Sequence, residues 1–183
     1  MSDEEKILFR RLRSRDKSAL AAIYERYRDD LLTVATYITG ERQAGEDVLH
    51  DVFVRFAADI RRLGEPGSLR HFLVRCVANK AKDHLRRTTA APVFADSDRL
   101  ASAAAVDPGP SEKAAQTECR NDVMRAILCL PLEQREVVTL HLHGELTFST
   151  IAGLLGASTN TVQSRYRYAL QKLRTLLGAG VQP

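Results

Sequence analysis

Residues 146–173, reading LTFSTIAGLLGASTNTVQSRYRYALQKL, admit few folds: two short amphipathic helices that meet at a glycine break. Ile151, Ala152 and Leu155 give the first helix an apolar face, Gly156-Ala157 interrupts it, and Ser158 is a natural N-cap for the second. Val162, Tyr166, Ala169, Leu170 and Leu173 then recur at helical spacing and predict an inward face. Left outside are Thr159, Asn160, Thr161, Gln163, Ser164, Arg165 and Arg167, with no acid among them. Hydroxyls, amides and guanidiniums can reach base edges and phosphates in a DNA major groove. The stretch therefore reads as a helix-turn-helix, and its plain alternative is a helical hairpin with a solvated polar face.

The remaining sequence is helical wherever it has a period, and no segment alternates as a strand does. Ile7, Leu8 and Leu12 mark a short first helix. Asp16 caps a longer one, lined by Leu20, Ile23, Tyr24, Tyr27, Leu31, Val34 and Ile38 and stopped by Gly40. A third is expected from about Arg42 to Arg62, with Val48, Leu49, Val52, Phe53, Phe56 and Ile60 inward. After a loop over Leu63–Gly67, Ser68 caps a fourth whose inner face is Leu69, Phe72, Leu73, Cys76, Val77, Ala81 and Leu85. The stretch from Thr88 to Ser111 has no period and carries Pro92, Pro108 and Pro110, which reads as a linker with a brief turn near Leu100. A helix resumes from Lys113 to Leu130, and Pro131 opens another that holds Val137, Val138, Leu140 and Leu142 and ends at Gly144. The expected fold is all-α. A four-helix N-terminal bundle over residues 1–88 and a C-terminal helix-turn-helix domain over 113–183 are joined by a flexible linker over 89–112.

Charge sorts by segment in the same way. Residues 1–88 carry 18 basic and 14 acidic side chains, 89–118 carry 2 and 5, and 119–183 carry 7 and 4, so two basic ends flank an acidic middle. Ser68–Thr88 concentrates six Arg and Lys against Asp83 alone. Cys76, Cys119 and Cys129 are odd in number and far apart, which fits a reducing compartment and no disulfide framework. With no signal peptide and no apolar run of transmembrane length, the expected location is the cytoplasm.

Catalytic patterns are missing. The glycines form neither a phosphate-binding nor a dinucleotide loop. His141 and His143 stand two residues apart, a poor chelate on a helix, and read as packing or surface residues. The cluster Glu46, Asp47 and Asp51 reads as a solvated or partner-facing strip. A binding protein is expected, with no enzymatic activity, cofactor, metal or small-molecule substrate.

Two basic helices on either side of a tether suggest two contacts on one DNA. The first, FLVRCVANKAKDHLRR, resembles the extracytoplasmic-function sigma factors of bacterial RNA polymerase, whose pattern here is WLYRIARNxxxDxLRR; Arg75, Asn79, Asp83, Leu85, Arg86 and Arg87 match. GEDVLHDVFVRF is similar to that family's AEDLVQEVFLRL through Glu46, Asp47, Asp51, Val52, Phe53 and Arg55. LPLEQREVVTLHLHGELTFSTIAGLLGASTNTVQSR resembles its region-four signature through Leu130, Pro131, Gln134, Arg135, Val137, Ile151, Ala152, Leu155, Thr161, Val162, Ser164 and Arg165.

The resemblance implies a promoter-recognition subunit partnered with core RNA polymerase, with promoter DNA as duplex and as melted strand, and with an anti-sigma factor as a candidate regulator. It assigns polymerase docking to Glu46, Asp47, His50, Asp51 and Phe53. It assigns the minus-ten element to Arg75, Asn79, Lys80, Lys82, Asp83, Arg86 and Arg87, with Asn79 on a base and loop 63–70 around a flipped base. The minus-thirty-five element falls to Thr159, Asn160, Thr161, Gln163, Ser164, Arg165, Arg167 and Tyr168. The tether would raise the effective concentration of the second module once the first is bound. Departures are specific: Phe72 replaces a tryptophan, His50 a glutamine, Tyr168 and Leu170 stand where arginines are usual, and Gln163 holds a position often basic. Fewer cations on that helix imply a smaller electrostatic share of its binding. The competing reading is a stand-alone helix-turn-helix regulator; it would more often place a ligand or receiver domain over Glu46–Arg87, and no such pattern is present.

Overall fold

The computed structural model describes residues 2–90 and 122–178. Most of the expected linker, the stretch 113–121 of the resumed helix, and Cys119 lie outside the described residues. Among those described there are eight helices and no strand. They form two units, α1–α4 and α5–α8.

In the first unit α1 spans Asp3–Arg13, α2 Lys17–Thr39, α3 Arg42–Asp59 and α4 Leu69–Ala90. Local chemistry sets these limits. Ser2 and Glu5 form a reciprocal capping box: the Ser2 hydroxyl accepts from the Glu5 N–H at 3.2 Å and the Glu5 carboxylate from the Ser2 N–H at 2.7 Å. Asp16 accepts from the Ser18 N–H at 2.9 Å, and hydrogen bonds from Ser18 and then Arg11 hold its carboxyl down to about 2. Gly40 closes α2 in the left-handed region at φ 89°, its N–H donating to the Thr36 carbonyl at 2.8 Å. Ser68 caps α4 through the His71 N–H at 3.2 Å.

Helix α2 is the centre of this unit and packs against α1, α3 and α4. Ile23, Leu31, Val34, Ala35 and Ile38 are buried along it, facing Val48, Leu49, Val52 and Phe56 of α3 and Leu69, Leu73 and Val77 of α4. The core is mostly aliphatic, with Phe9 and Tyr27 buried among it and a run of edge and tilted ring contacts, Tyr24–Phe53, Phe53–Phe56 and Phe56–Phe72. Phe72 thus takes its place in the packing without a tryptophan.

Three expectations are corrected. On α1 the buried apolar residues are Phe9 and Leu12, and Ile7 is 56% exposed, because the helix packs chiefly on α2 and buries a narrow stripe. The fourth helix also buries Val74 and Ala78, since it packs on both α2 and α3, whereas Phe72, Cys76 and Leu85 sit half-buried at the edge. Helix α3 stops at Asp59, where a turn takes over.

In the second unit α5 covers 122–128, α6 spans Leu132–Leu142, α7 Phe148–Leu155 and α8 Thr159–Gly178. Helices α6 and α7 both pack on α8. The Arg135 guanidinium donates to the Leu128 carbonyl at 3.4 Å, near the C-terminal end of α5, and burial pushes its pKa down from the ordinary value. Leu142, the last residue of α6, is 50% exposed, whereas Leu146 just beyond it is buried in the core. No helix among the described residues is long and apolar enough to cross a membrane.

One close approach fixes α3 on α2. A Cβ at Gly45 would stand 2.6 Å from the Thr36 hydroxyl oxygen, 3.0 Å from its backbone N and 3.2 Å from its Cα. Gly45→Ala is expected to destabilise the first unit by about 1–3 kcal/mol, because part of the obstruction is backbone. Gly153→Ala in α7, where no atom stands within 4 Å of the new Cβ, should instead stabilise by up to about 1 kcal/mol. Urea unfolding followed by circular dichroism measures both.

Candidate nucleic-acid and polymerase interface

In the second unit the turn between α7 and α8 is built from caps. Thr147 opens α7 by accepting from the Thr150 N–H at 3.2 Å. Gly156 ends it at φ 63°, and the Ala157 N–H donates to the Ala152 carbonyl at 3.0 Å. Nothing lies within 4 Å of a Cβ built at Gly156, so glycine is required there for its backbone angle and not for space. Ser158 then accepts from the Thr161 N–H at 3.0 Å and starts α8.

A ring cluster fixes the angle between these helices. His141 of α6 stacks on Phe148 of α7 at 4.4 Å and meets Tyr166 of α8 edge-on at 4.9 Å, and Phe148 and Tyr166 are 5.2 Å apart. His141 Nδ1 lies 2.9 Å from the Leu146 carbonyl. A carbonyl only accepts, so Nδ1 carries the proton and donates it. His141 is a packing residue of the helix-turn-helix.

With Val162, Ala169 and Leu173 buried, α8 presents Thr159, Asn160, Thr161, Gln163, Arg167 and Tyr168 to solvent, with Ser164 and Arg165 half-exposed beside them. Asn160, Gln163, Ser164 and Arg167 line one shallow depression. The Arg167 guanidinium lies 5.4 Å over the Tyr168 ring. The eight residues expected to read duplex DNA thus share one exposed region of one helix.

In the first unit α4 divides its polar residues between two stripes. Arg75, Asn79, Lys82 and Arg86 follow at i, i+4, i+7 and i+11, one continuous outer stripe. Lys80 and Arg87 belong to the neighbouring stripe, toward α3. Asp83 pairs with Arg86, whose hydrogen bond holds its carboxyl below the usual range, so this acid orients the guanidinium. Lys80 is only 27% exposed, and its ammonium donates to Asp51 of α3 at 2.6 Å. That bond is the main reason the Asp51 carboxyl lies below its ordinary value, with His50 and Arg87 adding to it.

On α3, Asp47 and His50 are exposed, Asp51 is paired with Lys80, and Glu46 is paired with Arg42 at 2.9 Å. Phe53 is 6% exposed and packs edge-on against Tyr24, so it supports this strip from within and does not present its ring. Sequence reasoning missed Val54, 57% exposed one turn beyond Asp51 and two beyond Asp47. Its signal was legible as an apolar residue at i+7 and i+3 on a polar stripe.

The first unit contains the match to sigma-70 region 2 over residues 23–91, and the second contains most of the match to sigma-70 region 4 over residues 120–173. The chain belongs to the sigma-70 family, as a sigma factor of the extracytoplasmic-function type. It is 28% identical over 164 residues to the sigma factor SigM of Mycobacterium tuberculosis, covering 89% of this chain and 79% of that one. It is 28% identical over 176 residues to SigK of Mycolicibacterium vanbaalenii, covering 93% and 88%. A probable sigma factor of Xanthomonas campestris, RfaY, is 29% identical over 163 residues; the match takes in 88% of this chain but only 41% of that longer protein. Two solved structures share the fold: CnrH with the cytosolic domain of CnrY, at TM-score 0.67 and 23% identity over 98% of this chain and all of that one, and RpoE with the anti-sigma factor NepR from Bartonella quintana, at TM-score 0.63 and 20% identity over 86% and 97%. As a member of this family the chain is a transcription initiation factor that directs RNA polymerase to promoters.

The Ser158 cap sets the first turn of α8, on which Thr159, Asn160 and Thr161 stand. Ser158→Ala should cost the second unit about 1 kcal/mol, and a thermal melt with a duplex-binding titration should show both a lower transition and weaker DNA binding.

Proposed function

We propose that this sigma factor divides its work by face. The α3 strip of Asp47, His50, Asp51 and Val54, with Glu46 at its start and Phe53 beneath, docks on core RNA polymerase. The α4 stripe of Arg75, Asn79, Lys82 and Arg86, with Arg87 alongside, reads and opens the minus-ten element, and the loop 63–70 takes a flipped base. The exposed part of α8, from Thr159 to Tyr168, reads the minus-thirty-five element as duplex DNA. The observation that carries this reading is the single amide, Asn79, in the middle of a stripe otherwise built of cations. Cations on a helix face bind phosphates of any sequence, whereas an amide can pair with the edge of a base.

The factor acts where polymerase and DNA are, in the cytoplasm, and performs no chemical step of its own. An anti-sigma factor is a candidate partner of this chain, since a structural relative, RpoE, was solved in complex with the anti-sigma factor NepR.

Asn79→Ala is expected to lower open-complex formation about tenfold or more at an unchanged affinity for core polymerase. Asp47→Arg, which places a cation in the docking strip, is expected to weaken core binding about tenfold while the isolated chain still binds single-stranded DNA as before. Fluorescence anisotropy with core polymerase and permanganate footprinting of the promoter separate the two effects. Equal loss of core binding in both variants contradicts the division.

A further inference from the structure

The 2.6 Å ion pair between Lys80 and Asp51 joins a lysine of the DNA-reading helix to a carboxylate of the docking strip. Asp51 lies on the outer stripe of α3 with Asp47 and Val54, and its side chain is 55% exposed, so a partner can reach it. Lys80 sits one position from Asn79, but its ammonium is drawn back between α4 and α3. A carboxylate there occupies the ammonium as a phosphate oxygen would. Arg75, Lys82 and Arg87 have no such ion pair with an acid among the described residues, and Arg86 is held by Asp83 within its own helix. Arg70, at the start of α4, is also paired with an acid on another helix, Asp30 of α2; among the α4 cations from Arg75 to Arg87, Lys80 is the one whose ion pair with an acid reaches another helix.

We infer that Asp51 is a positioning residue for DNA binding: it keeps Lys80 off the DNA in the free chain and yields it when polymerase docks. This rests on the docking and reading roles proposed above. A polymerase cation arriving at Asp51 competes with the lysine for the same carboxylate. The released side chain, with four rotatable carbons, then swings to a phosphate beside the base that Asn79 reads. Linkage makes the effect reciprocal: a phosphate on Lys80 leaves Asp51 freer for the polymerase by the same factor. The pair is half-exposed and of modest strength, so the coupling factor is roughly two- to fivefold.

The test uses the full chain, a fluorescent mixed-sequence single strand of twenty nucleotides, and a salt series read by anisotropy. Asp51→Asn should tighten strand binding by roughly two- to fivefold and steepen the salt slope by about 0.7, the value for one added phosphate contact on a single strand. Asp47→Asn removes the same charge from the same strip without touching Lys80, and it measures the general electrostatic effect. Asp51→Asn/Lys80→Gln should bind no better than Lys80→Gln apart from that general effect. Equal gains in Asp51→Asn and Asp47→Asn overturn the proposal, as does a gain that survives in the double variant. In parallel, Asp51→Asn is titrated against core polymerase, where weaker binding is expected. Unchanged core affinity there overturns the docking role of Asp51, and the coupling with it, even if the strand titration behaves as expected.

Discussion

The N-terminal unit depends on how closely α3 can lie on α2. At Gly45 the two backbones approach until a single methyl group would meet Thr36 at its hydroxyl, its N and its Cα. That contact fixes the roll of α3 about its own axis. With the roll set, Val48, Val52 and Phe56 must turn inward, and Asp47, Asp51 and Val54 must turn out. A rotation of one residue, about 100°, would bury carboxylates and expose the core. The exposed strip proposed to dock on polymerase thus follows from a missing Cβ on the opposite side of the same helix.

The C-terminal unit solves a similar problem with rings. Two helices as short as α6 and α7 have little core of their own, so their angle to α8 depends on a few large side chains. His141, Phe148 and Tyr166 supply one from each helix, and the Nδ1 proton on the Leu146 carbonyl fixes the imidazole plane. Gly156 and Ser158 then determine where α8 begins, and so which residues of its first turns face outward. Rigid support under a polar, adaptable surface is what sequence readout needs.

The sequence made most of this legible because most of it is local. Caps at Asp16, Gly40, Ser68 and Ser158, and the periods of α2, α3 and α8, depend on residues within a turn or two of each other. What was not legible depends on distant residues. The α1 pattern of Ile7, Leu8, Phe9 and Leu12 fits more than one face, and only contact with α2 selects Phe9. The assignment of Lys80 to phosphates followed from its place among the cations of α4, yet its position is set by Asp51, nearly thirty residues earlier on another helix. His141 offered no local sign of its stacking, since Phe148 and Tyr166 reach it only after two turns of the chain. The region-two and region-four patterns pointed to the family because they record such tertiary contacts indirectly, through the residue types that satisfy them.

Charge accounting on α4 also explains why such a chain works as a subunit. Of its cations beyond Arg70, two are held by acids, Lys80 by Asp51 and Arg86 by Asp83, which leaves Arg75, Lys82 and Arg87 without an ion pair among the described residues. Each phosphate contact on a single strand contributes a salt slope of only about 0.7, so three contacts make a weak, salt-sensitive grip. Helix α8 is similarly sparing: from Thr159 to Tyr168 its only cations are Arg165 and Arg167. Neither face can hold DNA firmly by electrostatics alone, and both carry amides that discriminate bases once held. On the roles proposed above, affinity comes from a larger assembly, through the α3 strip, while selectivity stays with this chain. That division suppresses binding to the excess of non-specific DNA, where a more cationic α4 or α8 would leave the free subunit bound.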